Sequence, residues 1–402
     1  MRHCAAKGLI VRPVGSGHSF TDLVKTSGAV ISLDHLTGLI EVDKPNRTAT
    51  VWAGTKLWRI CQQLDPFGLA MENLGDINAQ SIAGAIGTGT HGTGLRFGSL
   101  STQVAELALM TASGETVECS ETRNSDIFKA AQVSMGALGI ITRVKLRLVP
   151  SFRLKYVRKR GNFAESLVRS HEYARDNRHF EMFLFPHTET VLMKFHNETD
   201  APIQFSRAGR WLREVFNENL VFGAMARHCR AKPARCPRIS QLTARRAGEC
   251  EEVDVGHNVL CTRRMVRFNE MEYSVPLERG ASALRELKEW IVRANVLTPF
   301  PIEYRYVKAD DIWLSPFYGR DSVTISVHQY KGMKYDEYFE GAERIFRKHD
   351  GRPHWGKLHS LGHEDLRELY PKWDDFARVR AQLDPKGVFL NPCLAKVLGT
   401  GT

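Results

Sequence analysis

Over the first 150 residues, apolar positions come in short runs of period two, broken by Gly, Asn and Asp. AVISL (29–33), TATVWAG (48–54), AELALMTASGETVECS (105–120) and GIITRVKLRLVP (139–150) predict strands, because successive strand side chains point to opposite faces. Val144, Leu146 and Leu148 alternate with Lys145 and Arg147 as in a half-buried strand, and SGET predicts a hairpin. TKLWRICQQLDPFG (55–68) puts Leu57, Ile60, Cys61 and Leu64 on one helical face and ends in a Pro-x-Gly stop. Beyond Pro150, FEMFLFPH, VLMKFH, EMEYSVPL, PIEYRYV and SVTISVHQY predict further strands, and LERGASALRELKEWIVRAN predicts an amphipathic helix. The pattern is that of an α+β protein.

A chain of 402 residues with 43% hydrophobic composition can bury a large core and is expected to form two or three domains. Its apolar runs fall short of the ~20 residues that cross a bilayer. MRHCAAKG lacks the apolar stretch of a secretory signal, so a cytoplasmic chain is expected. Eight scattered cysteines show no C-x-x-C pair and no zinc spacing, which predicts free thiols and no metal site. The net charge of +11 suits nucleic acid, an anionic membrane or anionic ligands. It is uneven: between Ala201 and Ala247 ten Arg/Lys face two Glu. Trp211, Leu212, Phe216, Leu220, Val221 and Phe222 lie among these arginines, so 205–240 could lie on a membrane or cover a site. Nucleic-acid binding would leave the glycine-rich segments unexplained, and no nucleic-acid motif is present.

Two glycine-rich segments carry candidate chemistry. In VGSGHSF (14–20) a strand breaks into a turn where Gly15, Ser16 and Gly17 can gather bare backbone N–H groups around an anion. NLGDINAQSIAGAIGTGTHGTG (73–94) packs six glycines, whose entropic cost calls for a ligand approaching the main chain, or else for tightly packed loops. Neither segment is a P-loop or a Rossmann fingerprint. Further along, Glu303 and Arg305 share one face of a strand, as a structural ion pair or a catalytic couple. His354 and Lys357 sit in a Pro-Gly turn.

VGSGHSF, NLGDINAQSIAGAIGTGTHGTG, SMGALGIITRVKLRLVP, PIEYRYVKADDIWLSPFYGRDS, GRPHWGKLH and LDPKGVFLNP follow one another in an order that resembles the sugar-1,4-lactone oxidases. These are the gulonolactone, galactonolactone and arabinonolactone oxidases, relatives of alditol oxidase in the vanillyl-alcohol-oxidase flavoprotein superfamily. The resemblance implies a PCMH-type FAD-binding domain over 1–150 and a substrate or cap domain over 151–402, with an antiparallel sheet and flanking helices. The segment from about 350 to 402 would return to the flavin. The chain starts about ten residues before GSGHS, which implies an FAD domain shortened at its N-terminus.

The cofactor implied is FAD, covalently held through His18. Pro13, Val14, Gly15, Ser16, Gly17 and Ser19 would cradle its pyrophosphate. Ser81, Gly84, Thr88, Gly89, Thr90 and His91 match a second FAD-contacting loop, Ile140 and Ile141 give main-chain contacts, and His354 reaches flavin and substrate. Glu303, Arg305 and Lys357 match the catalytic positions, with Asp76 and His328 as further substrate contacts. A cation ~4 Å from the reduced flavin anion is worth up to ~4 kcal/mol at an effective dielectric of 20. The reaction implied is oxidation of an aldono-1,4-lactone at C2, with O2 giving H2O2. A quinone- or cytochrome-linked dehydrogenase and an alditol oxidase are the alternatives, and Gly75 favours the oxidase.

Overall fold

The computed structural model describes residues 1–204, 207–211, 219–262 and 264–400. Near the N-terminus β1 (Val11–Val14) runs parallel to β2 (Ala29–Ser32). β3 (Leu39–Asp43), β4 (Thr48–Trp52), β5 (Val104–Met110), β6 (Thr116–Ser120) and β7 (Ile140–Arg147) form an antiparallel sheet in the order β3-β4-β7-β5-β6. Its inner face is apolar: Val51, Leu107 and Val144 are cross-strand neighbours and all are buried. Helix Leu57–Leu64 packs its predicted face inward and passes into a short 3-10 turn, Asp65–Phe67. Gly68 closes that turn at a φ of 68°, a conformation that favours glycine.

The second sheet has eight strands. β8 (Arg153–Asn162), β9 (His179–Leu184), β10 (Thr190–Glu198), β11 (Cys250–Val255), β12 (Phe268–Pro276), β13 (Ile302–Val307), β14 (Ser322–Tyr330) and β15 (Arg352–Pro353) lie in the order β11-β8-β10-β9-β13-β14-β12-β15. Every neighbouring pair is antiparallel. Period two divides its side chains sharply. Met182, Tyr304, Ile325 and Tyr273 follow one another across one face, under helices Gly280–Arg293 and Asp336–Lys348. Those helices bury Leu284, Leu287, Ile291, Ala342 and Phe346, and Gly341 is small enough for the Trp290 ring to lie against it. The opposite face carries Phe183, Glu303, Ser326 and Glu272 in register.

The pattern of apolar residues missed β3, β8, β11 and the two-residue β15. RLKYVRKRGN and CEEVDV are charged and partly exposed, and β11 is an edge strand, where water replaces part of the apolar signal. The N-terminal strand pair is tied to distant parts of the chain through polar contacts. Arg12 is buried and donates to the carbonyls of Leu23 (2.7 Å), Met135 (2.5 Å), Gly136 (3.0 Å) and Phe389 (2.6 Å). Asn391 donates to the carbonyls of Asp22 and Lys25, at 2.8 Å each. The segment near residue 390 thus packs on β1 and the turn that follows it.

Candidate active site

A cavity of about 1760 Å³ runs between the glycine-rich loops and the charged face of the eight-stranded sheet. Three backbone segments line one side: 12–20, 75–91 and 135–141. They approach one another more closely than side chains would permit. A Cβ on Gly15 would sit 1.9 Å from Ser81 Oγ, and one on Gly136, where φ is 69°, would sit 3.0 Å from the Pro13 ring. His18 is exposed to the cavity. Partial burial, with Lys56 and Lys357 nearby, lowers its pKa and keeps the imidazole neutral.

The other side is built from side chains. Lys194 donates to Glu181 at 2.8 Å, Arg305 Nε donates to Glu181 at 2.8 Å, and Arg305 Nη2 pairs with Glu303 at 2.6 Å. This chain follows directly from register, since Lys194, Glu181 and Arg305 are consecutive cross-strand partners on β10, β9 and β13. Burial alone would raise the Glu181 carboxyl, but Lys194 and Arg305 outweigh it and hold it well below the usual range. Burial likewise opposes charge on Arg305, and Glu303 and Glu181 overcome it.

Two further carboxylates stand two residues apart on β12. Glu270 pairs with Lys357 and lies 3.4 Å from His328 Nε2, while Glu272 bonds His91 Nε2. Burial would raise Glu270; Lys357 and His328 bring it down to about 2. Burial pushes His354, whose ring lies 5.9 Å from that of His91, down to about 4. Asp76 is anchored by Arg264 at 2.6 Å and by Thr262 at 2.7 Å. Glu181, Glu270, Glu272, Glu303 and Asp76 on this face each have a cationic or histidine partner, so this part of the site is preorganised.

Residues 144–397 match the family model described as D-arabinono-1,4-lactone oxidase, and residues 1–120 match an FAD binding domain. The chain is 42% identical over 398 residues to an L-gulono-1,4-lactone dehydrogenase of Mycobacterium tuberculosis, covering 98% of this chain and 92% of that one. It is 34% identical over 396 residues to an L-gulonolactone oxidase of Scyliorhinus torazame, covering 96% and 89%. The chain belongs to the D-arabinono-1,4-lactone oxidase family. Cholesterol oxidase from Brevibacterium sterolicum shares the fold, with a TM-score of 0.83 at 18% identity over 99% of this chain and 91% of that one. This lactone oxidase family member is an FAD-linked oxidoreductase of PCMH-type fold, as its sequence motifs lead one to expect.

The cradle fits FAD. Ser81 Oγ is buried without a hydrogen-bond partner among the described residues, beneath a turn that only glycine can form. A phosphate oxygen is the acceptor such a hydroxyl lacks. Of the residues singled out from sequence, Pro13, Gly15, Ser16, Gly17, His18, Ser19, Asp76, Ser81, Gly84, Thr88, Thr90, His91, Ile141, Glu303, Arg305, His328, His354 and Lys357 line the cavity. Val14, Gly89 and Ile140 do not. Val14 and Ile140 pair within their sheets, and Gly89 lies against Pro316.

Both ring nitrogens of His91 are engaged, by Glu272 and the Gly92 carbonyl, and Lys357 is tied to Glu270. Glu181, Lys194, Glu270 and Glu272 were missed; the alternation of acids in NEMEYS was the available signal. The basic stretch also divides. Trp211 and Leu220 are exposed, whereas Val221 and Phe222 line the cavity, with Phe222 edge-on to Phe300 at 4.9 Å. Leu212 and Phe216 lie outside the described residues.

Proposed function

We propose that the chain oxidises an aldono-1,4-lactone of the arabinono or gulono type at its C2 hydroxyl, with O2 as acceptor and H2O2 as by-product. The observation that carries this reading is the Glu303–Arg305 pair facing the glycine cradle across one cavity. FAD, when bound, supplies the hydride acceptor. Glu303 is placed to accept a hydrogen bond from the substrate hydroxyl and to take its proton, and Arg305 holds the negative charge that develops on that oxygen. Lys357, bridged to Glu270, and His354, kept neutral by burial, bound the opposite end of the pocket. Asp76 and His328 supply polar contacts to the sugar hydroxyls. His18, an unprotonated imidazole at the cradle, has the nucleophilicity that a covalent flavin link needs.

Gly75 lines the cavity and carries no side chain to obstruct dioxygen there, which supports O2 as acceptor. A relative 42% identical is named a dehydrogenase, and this favours an organic or protein acceptor as the second reading. No helix among the described residues is long and apolar enough to cross a membrane. Peripheral contact through 205–240 is supported by exposed Trp211 and Leu220 among arginines. The test is anaerobic mixing of purified holoprotein with L-gulono- and D-arabinono-1,4-lactone. Bleaching near 450 nm, about where oxidised flavins absorb, supports the reading. Stoichiometric H2O2 on admitting air selects O2 over a dye-coupled acceptor. A flavin that stays oxidised with every lactone overturns it.

A further inference from the structure

The cavity extends beyond the pocket bounded by Glu303 and Arg305. Its far wing is lined by Arg158 and Lys194 on neighbouring strands, by Arg246 at the end of helix Cys236–Arg246, and by Phe183 and Phe185. Arg158, Lys194, Glu181 and Arg305 form one continuous cross-strand row. Arg158 and Arg305 are therefore three strand spacings apart, about 14 Å. Arg158 donates to the Gly248 carbonyl at 2.8 Å, which fixes the helix end over the sheet and sets Arg246 beside the row. Arg246 and Gly248 are exposed, so the wing opens to solvent there.

Outside it, helices Phe222–Ala231 and Cys236–Arg246 with their connection carry seven exposed Arg/Lys and no acid. None of those seven is paired with a carboxylate among the described residues. Glu181, spanned by Lys194 and Arg305, is the single acid in the row.

A neutral lactone requires no such field. Its oxidation product does: a 2-keto lactone tautomerises to an enediol that is a vinylogous acid and gives up a proton to water near neutrality. We propose that the wing is a binding site for a small sugar-acid anion, which draws the charged product from Arg305 past Lys194 and Arg158 to Arg246. This rests on the proposed lactone oxidation. The same chemistry would hold the aldonate formed when the substrate lactone hydrolyses. The arginines of the helical hairpin extend the field outward and steer anions by long-range attraction.

The test uses the holoenzyme with ascorbate as the enediolate probe, gluconate as the aldonate probe and neutral lactone as the comparison. Binding is read by calorimetry, and inhibition by initial rates. Arg246→Gln, exposed and structurally mild, should weaken the anion about five- to tenfold and the lactone less than twofold. Arg246→Lys keeps the charge without touching the Arg158–Gly248 bond and should restore most of the anion affinity. Anion affinity should fall as salt rises from 20 mM to 500 mM, as screening of a partly open site requires. Preference for ascorbate assigns the wing to product, and preference for gluconate assigns it to ring-opened substrate. Equal loss for anion and lactone, or anion affinity indifferent to salt and to Arg246, overturns the site. Arg246-dependent anion binding without lactone turnover would leave the site standing and remove the oxidase reading.

Discussion

The two walls of the cavity are made by opposite means. The wall proposed for the cofactor is backbone: glycines whose missing Cβ atoms let three segments close on each other, with Arg12 tying the carbonyls behind them. The wall proposed for the substrate is side chain, with ion pairs aligned by strand register on a rigid sheet. A backbone wall can follow a flat or phosphorylated ligand closely and contributes little charge of its own. A side-chain wall places charge to within a fraction of an ångström, provided each ion keeps its partner.

The comparison predicts where each wall breaks. The largest effect belongs to the substrate wall: Arg305→Ala should lower kcat/KM by about 10³ or more, on the scale of lost oxyanion stabilisation, while flavin content stays at the parent level. Stopped-flow reduction and absorbance ratios separate the two readouts. Loss of flavin together with activity would mean that the walls are not independent. Next comes Arg12→Ala, which strands the carbonyls of Met135, Gly136 and Phe389, while that of Leu23 keeps Asn391 as a donor. At about 1 kcal/mol or more for each stranded group, denaturant titration should show a loss of roughly 3 kcal/mol, with release of FAD.

The third prediction is acid lability, confined to the side-chain wall and the sheet behind it. Burial holds His179 at about 3 and His196, His354 and His359 at about 4. Unfolded, each titrates near 6.5. The unfolded chain therefore binds more protons across that interval, so stability is complete above about pH 6.5 and drains away as pH falls toward 4, by a few kcal/mol in all. Melting temperatures recorded between pH 7.5 and 4.5 should fall steadily. A flat profile would show that these imidazoles are hydrated. The smallest effect should come from Gly75→Ala: about tenfold slower flavin reoxidation by O2 in stopped flow, with reduction by lactone changed less than twofold, on the order of 1.4 kcal/mol.

The walls also differ in how far the sequence discloses them. Glycine is a local signal, so Gly15, Gly17 and Gly84 stood out before any fold was known. Glu303 and Arg305 were legible because period two puts them on one face. Glu181, Lys194, Glu270 and Glu272 were not, since a charge on a strand becomes a buried partner only when registry with a distant strand is settled, and β9 and β13 are more than a hundred residues apart. Arg12 was hidden more deeply: in VRPVG it reads as an ordinary basic residue, and its four acceptors lie 11, 123, 124 and 377 positions away.

That last separation bears on how the protein is made. The guanidinium behind the glycine loops is synthesised 377 residues ahead of Phe389, one of its carbonyl partners. During translation those loops must wait with an arginine short of an acceptor, and the contact closes only after Phe389 has left the ribosome. A cradle held in this way is completed late, and it is sensitive to any truncation that removes the segment around Phe389.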